Sequence, residues 1–454
     1  MRVSRALQQG LTIVLAASLL SGCATTSVFN PYPNQALAYK AAISQGTIDS
    51  ITPQLAVKAK SQDKLLYLCE SGRLHQLNKQ FEASKDDFAK ALAVYQADDD
   101  KARISASALA ADATSLLSND NAIPYSGYGF ERIFVHHFQA LNYLALKDVD
   151  GASVELRRAS LEQRVLEQQH DKEISKVESS TAANNFDVGS WDNNPEFAGM
   201  NAVAGKVKSS FQNAYTFYTS AVIWEAQGEI NDALVDYKKA LEINPNNSQI
   251  KQDIQRLSKG QRLGKNQGAL VVLYEDGFVP ARSGIMLSLP DFQHGTYLNI
   301  AFPYYATNLW YQPQPLTVYS DNHRLGQTAE IADVAAMAVK ALIEEAPAIL
   351  LRQLLRARAK YELHQQASKD GNVLGSFVTT LYNMASEQAD LRNWLTLPNN
   401  AQILRAQLAA GEQSVELALG GSSRSVNVTI AAGRITLLRV VNANNRLLVQ
   451  HFNL

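Results

Sequence analysis

The chain's most reactive candidate is a cysteine. Cys23 closes the tetrapeptide Leu20-Ser21-Gly22-Cys23, behind an apolar run over residues 11–20 and the two arginines Arg2 and Arg5. A short basic segment, an apolar stretch too short to span a bilayer and small residues at a cleavage point make a secretory signal. A cysteine directly after that point offers a thiol and, once cleaved, an amine for acylation, the pattern of a bacterial lipoprotein signal. The expectation is a signal peptide over residues 1–22, lipid on Cys23 and a tether over 23–36 that contains Pro31 and Pro33. Several acyl chains together hold firmly, because each buried methylene contributes about 0.8 kcal/mol. A flexible tether of this length reaches roughly 20 Å, which keeps the body near the membrane. Ala24, where an Asp would favour inner-membrane retention, points to the outer membrane with the body facing the periplasm.

Other chemistry-bearing residues form weaker constellations. His136 and His137 are adjacent, and helical neighbours point about 100° apart. They suit packing better than a shared metal, and no metal or other cofactor is expected. Arg352 and Arg356 share a helix face near Arg358, Lys360 and Glu362, and could grip phosphates or an acidic partner. Tyr125, Tyr128 and Phe130 sit in a glycine-rich loop that suits either recognition or loop packing, with Glu131 in the first turn of the helix that follows. Tyr304, Tyr305, Trp310 and Tyr311 alternate with prolines. Asp390, Arg392 and Trp394 would be the first suspects for a glycan-binding or enzymatic function of the second half. Glu275-Asp276-Gly277 reads as a hairpin turn rather than as paired catalytic acids. Cys69, the only other cysteine, has no partner for an intramolecular disulfide and reads as a buried thiol. No Gly-Xaa-Ser-Xaa-Gly elbow, His-Glu-Xaa-Xaa-His helix or phosphate-binding loop occurs, so no catalytic residue is assigned and an enzyme is not expected. A net charge of −1 gives no reason to expect nucleic acid.

The elements that must position these residues fall into two parts. Residues 37–260 carry helical periodicity. The run Gly228 to Pro245 resembles the second half of a tetratricopeptide repeat (TPR). In that reading small Ala233 lets the second helix approach the first, Tyr237 fills the gap, Ala240 admits the next unit and Pro245 stops the helix. Ala221 and Trp224 take the matching first-helix positions. Two weaker copies share the spacing: Leu68, Gly72, Ser84, Phe88 and Ala91, and then Ala140, Tyr143, Ala152, Leu156 and Ala159. The expectation is an irregular all-α TPR-like solenoid with repeats near 65–98, 133–166 and 214–247, an extra helix over 101–118 and a polar excursion or loop over 168–210.

A Gly- and Lys-containing linker at 258–265 ends the helical part, and the period then changes. Strands are expected over 269–274, 285–289, 297–302 and 316–319, helices over 328–345, 347–367 and 373–391, and five strands over 400–454. The whole is read as multidomain: the helical domain, then an α+β domain over 266–454 that ends in a small β-sandwich or meander at 400–454.

Several stretches resemble one family of bacterial lipoproteins without established biochemistry. They include Asp63-Lys64-Leu65-Leu66-Tyr67-Leu68, Tyr125-Ser126-Gly127-Tyr128-Gly129-Phe130-Glu131-Arg132, Tyr274-Glu275-Asp276-Gly277-Phe278-Val279-Pro280 and Ala389-Asp390-Leu391-Arg392-Asn393-Trp394. Members are often encoded beside a lipoprotein activator of a penicillin-binding protein. The resemblance implies envelope work and brings no assigned catalytic residues. The expected function is a lipid-anchored scaffold that binds envelope proteins on its TPR surface. The alternatives are a regulator of a peptidoglycan synthase or secretion channel, and a second half that binds glycans.

Overall fold

The computed structural model describes residues 30–105, 120–183, 195–291, 296–369 and 388–454. Cys23, the signal peptide and most of the helices expected over 101–118 and 373–391 lie outside them.

Helix α1 (Tyr32–Gln45) begins inside the expected tether, because Pro33 falls in its first turn, where a missing N–H costs nothing. After α2 (Thr52–Lys58) come two helical hairpins, α3 (Lys64–Leu77) with α4 (Phe81–Ser105) and α5 (Gly129–Ala145) with α6 (Val149–Ala183). Helix α7 (Pro195–Ala204) precedes a third hairpin, α8 (Ala214–Gln227) with α9 (Ile230–Ile243), and α10 (Ser248–Ser258) closes the series. The hairpins neighbour one another in chain order, α4 against α5 and α6 against α8.

All three hairpins turn in the same way. A left-handed residue ends each first helix: Lys79 at φ 61°, Lys147 at φ 62° and Gly228 at φ 85°. The next N–H reaches back to the last turn, from Gln80 to His75 O, Asp148 to Tyr143 O and Glu229 to Trp224 O, at 2.8, 2.8 and 2.9 Å. This is a Schellman ending, which satisfies carbonyls the helix would otherwise leave orphaned. The small-residue positions meet inside each hairpin. Gly72, Ser84, Ala91, Ala140, Ala152, Ala159, Ala221, Ala233 and Ala240 are all buried. A Cβ on Gly72 would come within 2.7 Å of the Phe88 ring. Tyr237 is buried edge-on to Tyr218, Trp224 is buried and Tyr143 half-buried. Pro245 is exposed just beyond the end of α9.

Part of the expected excursion over 168–210 is ordered helix. Helix α6 runs to Ala183, and α7 packs on the long C-terminal helix α11 (Val334–Lys369). Pro347 does not divide that helix, as the sequence suggested it would. Its lost hydrogen bond is outweighed by the packing of α11 against α5, α6, α7 and the sheet region. Residues expected to begin that helix form strand β6 (Ala329–Asp333) instead.

The second part is rich in strands. They are β1 (Gln267–Asp276), β2 (Ser283–Asp291), β3 (Thr296–Tyr304), β4 (Thr317–Ser320), β5 (His323–Gln327) and β6, followed by β7 (Asn400–Ala409), β8 (Gly411–Leu419), β9 (Ser422–Ile430), β10 (Ile435–Ala443) and β11 (Arg446–Asn453). One sheet runs β11-β10-β1-β7-β6, a second runs β5-β4-β8-β9, and β2 pairs with β3. Strand β1 lies parallel to β10, with Ala269 opposite Ile435, and antiparallel to β7, with Gln267 opposite Ala409.

The strands after residue 400 therefore do not form a self-contained unit. Strand β1, from far earlier in the chain, sits at the centre of their sheet. Nor does Glu275-Asp276-Gly277 turn a hairpin, since β1 and β2 do not pair. Leu270, Val272 and Tyr274 face a small core shared with the second sheet. Ala269, Val271 and Leu273 face a second core, which they share with the helices. Burial on both faces explains the unbroken apolar run of β1. The helical and β parts thus close on one continuous core.

Candidate functional site

TPR units commonly present their first helices to a ligand. Here those helices are covered by the chain itself. In α3 nearly every residue from Leu65 to Leu77 is buried, and in α8 every residue from Ala214 to Trp224. Part of the covering is the segment over 392–397, which turns over residues 395–397 and whose backbone N–H groups are held by α3 and α5. Glu70, fully buried on α3, accepts hydrogen bonds from the Leu395 N–H at 2.9 Å and from the Thr396 and Tyr32 hydroxyls. Glu131, on the first turn of α5, accepts from the Trp394 N–H at 2.7 Å and also from the Tyr125 hydroxyl and the Tyr128 N–H. Trp394 is 0% exposed, with its ring centroid 5.9 Å from those of Phe88 and Phe138. Its role is core packing, so the expected recognition function does not hold for it. Burial raises the Glu70 carboxyl to about 7, even though three donors pull the other way. Burial likewise raises Glu131.

Beside this segment lies a buried charge cluster built from both parts of the chain. Glu275 on β1 meets Arg73 of α3 at 2.5 Å, and Arg439 of β10 at 2.6 and 3.1 Å through two nitrogens. Gln76 accepts from Arg439 at 2.9 Å, and the Tyr215 hydroxyl donates weakly to Glu275 at 3.4 Å. Burial alone would raise the Glu275 carboxyl, but Arg439 and Arg73 outweigh it and hold it at about 2. Asp276, one residue on, points to the opposite face of β1 and accepts from Tyr274, Tyr311 and Asn442. The period-two geometry of a strand separates the two acids, so they cannot act as a pair.

The histidines part for the equivalent reason. His136 sits 2.8 Å from Glu155, whereas His137 is fully buried against Tyr215, with ring centroids 4.6 Å apart. Burial lowers His137 to about 3, so it stays neutral beside the two arginines. Among the described residues, no group of three or more His, Cys, Asp or Glu side chains is placed to hold a metal ion. Cys69 is buried, and burial raises its thiol well above the ordinary value.

At the rim of the junction is a small cleft of about 100 Å³, whose lining includes Tyr125, Tyr128, Arg282, Arg352, Asp390 and Arg392. The structure thus brings Tyr125, Tyr128 and Arg352 together with Asp390 and Arg392 of the second part, and leaves Phe130, Arg356 and Trp394 out of the lining. Tyr125 and Phe130 are mostly buried, Tyr125 beneath Arg392 and Phe130 stacked near Tyr128. Arg356 is buried and bound to Asp120 at 2.8 Å, which removes it from any surface role. Arg352 remains 46% exposed. Arg392 joins the two parts by donating to Asp63, Asp390 and the carbonyls of Ile123 and Asp120. Of the proline-loop aromatics, Tyr305 is buried, Tyr304 and Trp310 are half-buried and Tyr311 is the most exposed.

Sequence reading missed Glu70, Arg73, Asp120, Arg282 and Arg439. An isolated charge inside an apolar run is its only trace, as for Arg439 in β10, whose nine residues are all buried.

Comparison with known proteins gives one match: residues 214–247 match the tetratricopeptide repeat family. No curated protein and no solved structure matches the chain. The chain therefore carries a TPR hairpin over α8 and α9, followed by a sheet-rich part, and the repeat supports a role in protein–protein interaction in general.

Proposed function

We propose that this chain is a lipid-anchored, periplasm-facing scaffold of the outer membrane, without enzymatic activity, that serves envelope biogenesis by holding protein partners. The observation that carries the scaffold is the threefold hairpin, with shared small-residue positions and a shared turn; over the first two hairpins the chain lays its own segment 392–397. The first-helix face is filled in cis, so partners use other surfaces or must displace Trp394. The anchor rests on Leu20-Ser21-Gly22-Cys23. Helix α1 begins at Tyr32, so only a short link joins Cys23 to the body.

A narrower version, contact with a peptidoglycan synthase or a secretion channel, rests on the family resemblance. The glycan-binding or enzymatic alternative is weakened, because Asp390 and Arg392 are engaged with each other and Trp394 is buried. The test is affinity capture of the tagged protein from cells cross-linked in vivo, with Cys23→Ser as the mislocalised control and radiolabelled palmitate as the lipid readout. Palmitate incorporation and an envelope protein enriched only with the wild type are expected. Absence of label in the wild type would remove the anchor, and clean capture without a partner would remove the scaffold.

A further inference from the structure

Strand β11 is an outer strand of its sheet and pairs on one side only, with β10. The Leu454 N–H donates to the Ile435 carbonyl at 2.9 Å, which fixes the phase of that ladder. In an antiparallel pair the backbone groups of alternate residues bond to the neighbouring strand, and those between them point away. Leu448, Gln450 and Phe452 therefore face β10, while Leu447, Val449, His451 and Asn453 turn their N–H and C=O groups outward. The Arg424 side chain takes the Leu447 carbonyl. Beyond it, the outward backbone groups of Val449, His451 and Asn453 have no protein partner among the described residues. His451 and Asn453 are exposed and Val449 is half-buried, so this half of the edge lies at the surface. An open edge of this kind is a template for one more strand.

The open half borders a groove of about 620 Å³, between residues 449–454 and the turns of the first two helical hairpins. Binding pockets run to roughly 300–1,000 Å³, so a short stretch of peptide fits. Phe81, Leu144 and Val149 give the groove an apolar wall, and the exposed Lys79 and Lys147 stand at its rim. No Asp or Glu side chain is among its described lining residues. The α-carboxylate of Leu454 offsets one lysine and leaves the groove positive. Both lysines hold the left-handed conformation, at φ 61° and 62°, where the third hairpin, whose turn does not line the groove, has Gly228. That conformation disfavours any residue with a Cβ, so a side chain retained there at both turns points to a task at the groove. A second copy of the chain is a poor occupant: β11 carries Arg446 and His451 and no acid, so pairing two copies would set a basic strand against a lysine rim.

We propose that β11 takes up an extended segment of a partner protein as a sixth strand of its sheet, with apolar side chains against Phe81, Leu144 and Val149 and an acidic residue against Lys79 or Lys147. In strand addition the backbone bonds supply affinity, and the pockets for alternate side chains supply specificity. The inference rests on the scaffold reading and gives it a docking surface other than the first-helix face, which the chain fills itself.

The test is selection of a phage-displayed random peptide library on the full chain in neutral detergent, with His451→Pro as the counter-target. Proline at 451 removes an N–H that points away from β10, so it blocks a new strand and leaves the existing ladder whole. If that variant does not fold, Asn453→Pro replaces it. Selected peptides should alternate apolar residues and carry an acid, and the best of them should bind with Kd at or below about 100 μM by fluorescence anisotropy. Lys79→Gly with Lys147→Gly relieves the left-handed turns, so it should keep or raise the melting temperature while weakening that peptide about fivefold, as the loss of exposed ion pairs would. Peptides that bind the proline variant equally well, or no selected peptide at all, would overturn the edge. Sedimentation showing a dimer that His451→Pro dissolves would give the edge to a second copy and overturn the proposal. An envelope protein still captured by the His451→Pro chain in cross-linked cells would strike this surface and leave the scaffold standing.

Discussion

Replacing Glu275 with Gln tests the reading of the junction most directly. The cluster holds two buried arginines and one carboxylate, with Arg73, Glu275 and Arg439 all 0% exposed. Glu275→Gln keeps the shape but leaves two facing guanidinium groups in the core without an anion. Breaking a buried ion pair from one side costs about 3–5 kcal/mol. The carboxyl's own titration gives a similar figure. It falls from an ordinary 4.5 to about 2, and at 1.36 kcal/mol per unit this is about 3 kcal/mol. With an unfolding entropy of about 2.1 cal/mol/K per residue, such a loss lowers the melting temperature by about 3–5 °C in a chain of this length.

Removing Arg73 has the opposite electrostatic consequence, because Glu275 and Arg439 remain as a two-nitrogen pair. Arg73→Met should therefore cost clearly less than Glu275→Gln. Differential scanning calorimetry at pH 7 compares the two. In the wild type, the Glu275 contribution is complete above pH 4.5 and disappears as pH falls towards 2, because the folded-state pKa lies below the unfolded one. Glu275→Gln should lack that acid-side slope. An Arg73→Met chain less stable than Glu275→Gln, or a Glu275→Gln chain within about 1 kcal/mol of the wild type, would refute the assignment of Glu275 as the counter-ion that closes the two halves together.

Three further outcomes are expected. Glu70 is raised from 4.5 to about 7, so its contribution has the reverse sign: present below pH 4.5 and lost as pH rises to 7. Glu70→Gln should therefore gain stability on the wild type at pH 8 and not at pH 4, which urea unfolding at both values will check. Trp394→Ala should cost about 3–5 kcal/mol by cavity formation; the segment over 392–397 should become protease-sensitive in that variant, whereas wild-type resistance would contradict the cis-filled groove. Gly72→Ala should destabilise by about 1–2 kcal/mol, because the clash with the Phe88 ring outweighs the helix propensity gained, and a thermal shift in the stabilising direction would show that the ring has room to move.

Much of the local structure was legible in the chain. The small residues 72/84, 140/152 and 221/233 announce close helix pairs because only small side chains let helix axes approach, and that constraint repeats wherever the hairpin repeats. Alternating apolar residues announce β8 and β9 because one strand face is wet. The second helix of the best repeat, with its stop at Pro245, follows from local chemistry alone.

What the tertiary structure decided is everything that depends on partners distant in sequence. Nothing near Trp394 says that it will lie on Phe88 and Phe138. Nothing near Glu275 says that its counter-ions stand at Arg73 and Arg439. Strand β1 looks like the start of a new domain by sequence, yet its neighbours in space are β7 and β10. The physical reason is the range of the forces. Helix periodicity, turn geometry and strand alternation are set by contacts a few residues apart, and so leave a pattern in the chain. Burial of a charge and the filling of a groove are set by whichever distant surface satisfies them at least cost, and leave only an isolated polar residue in an apolar run.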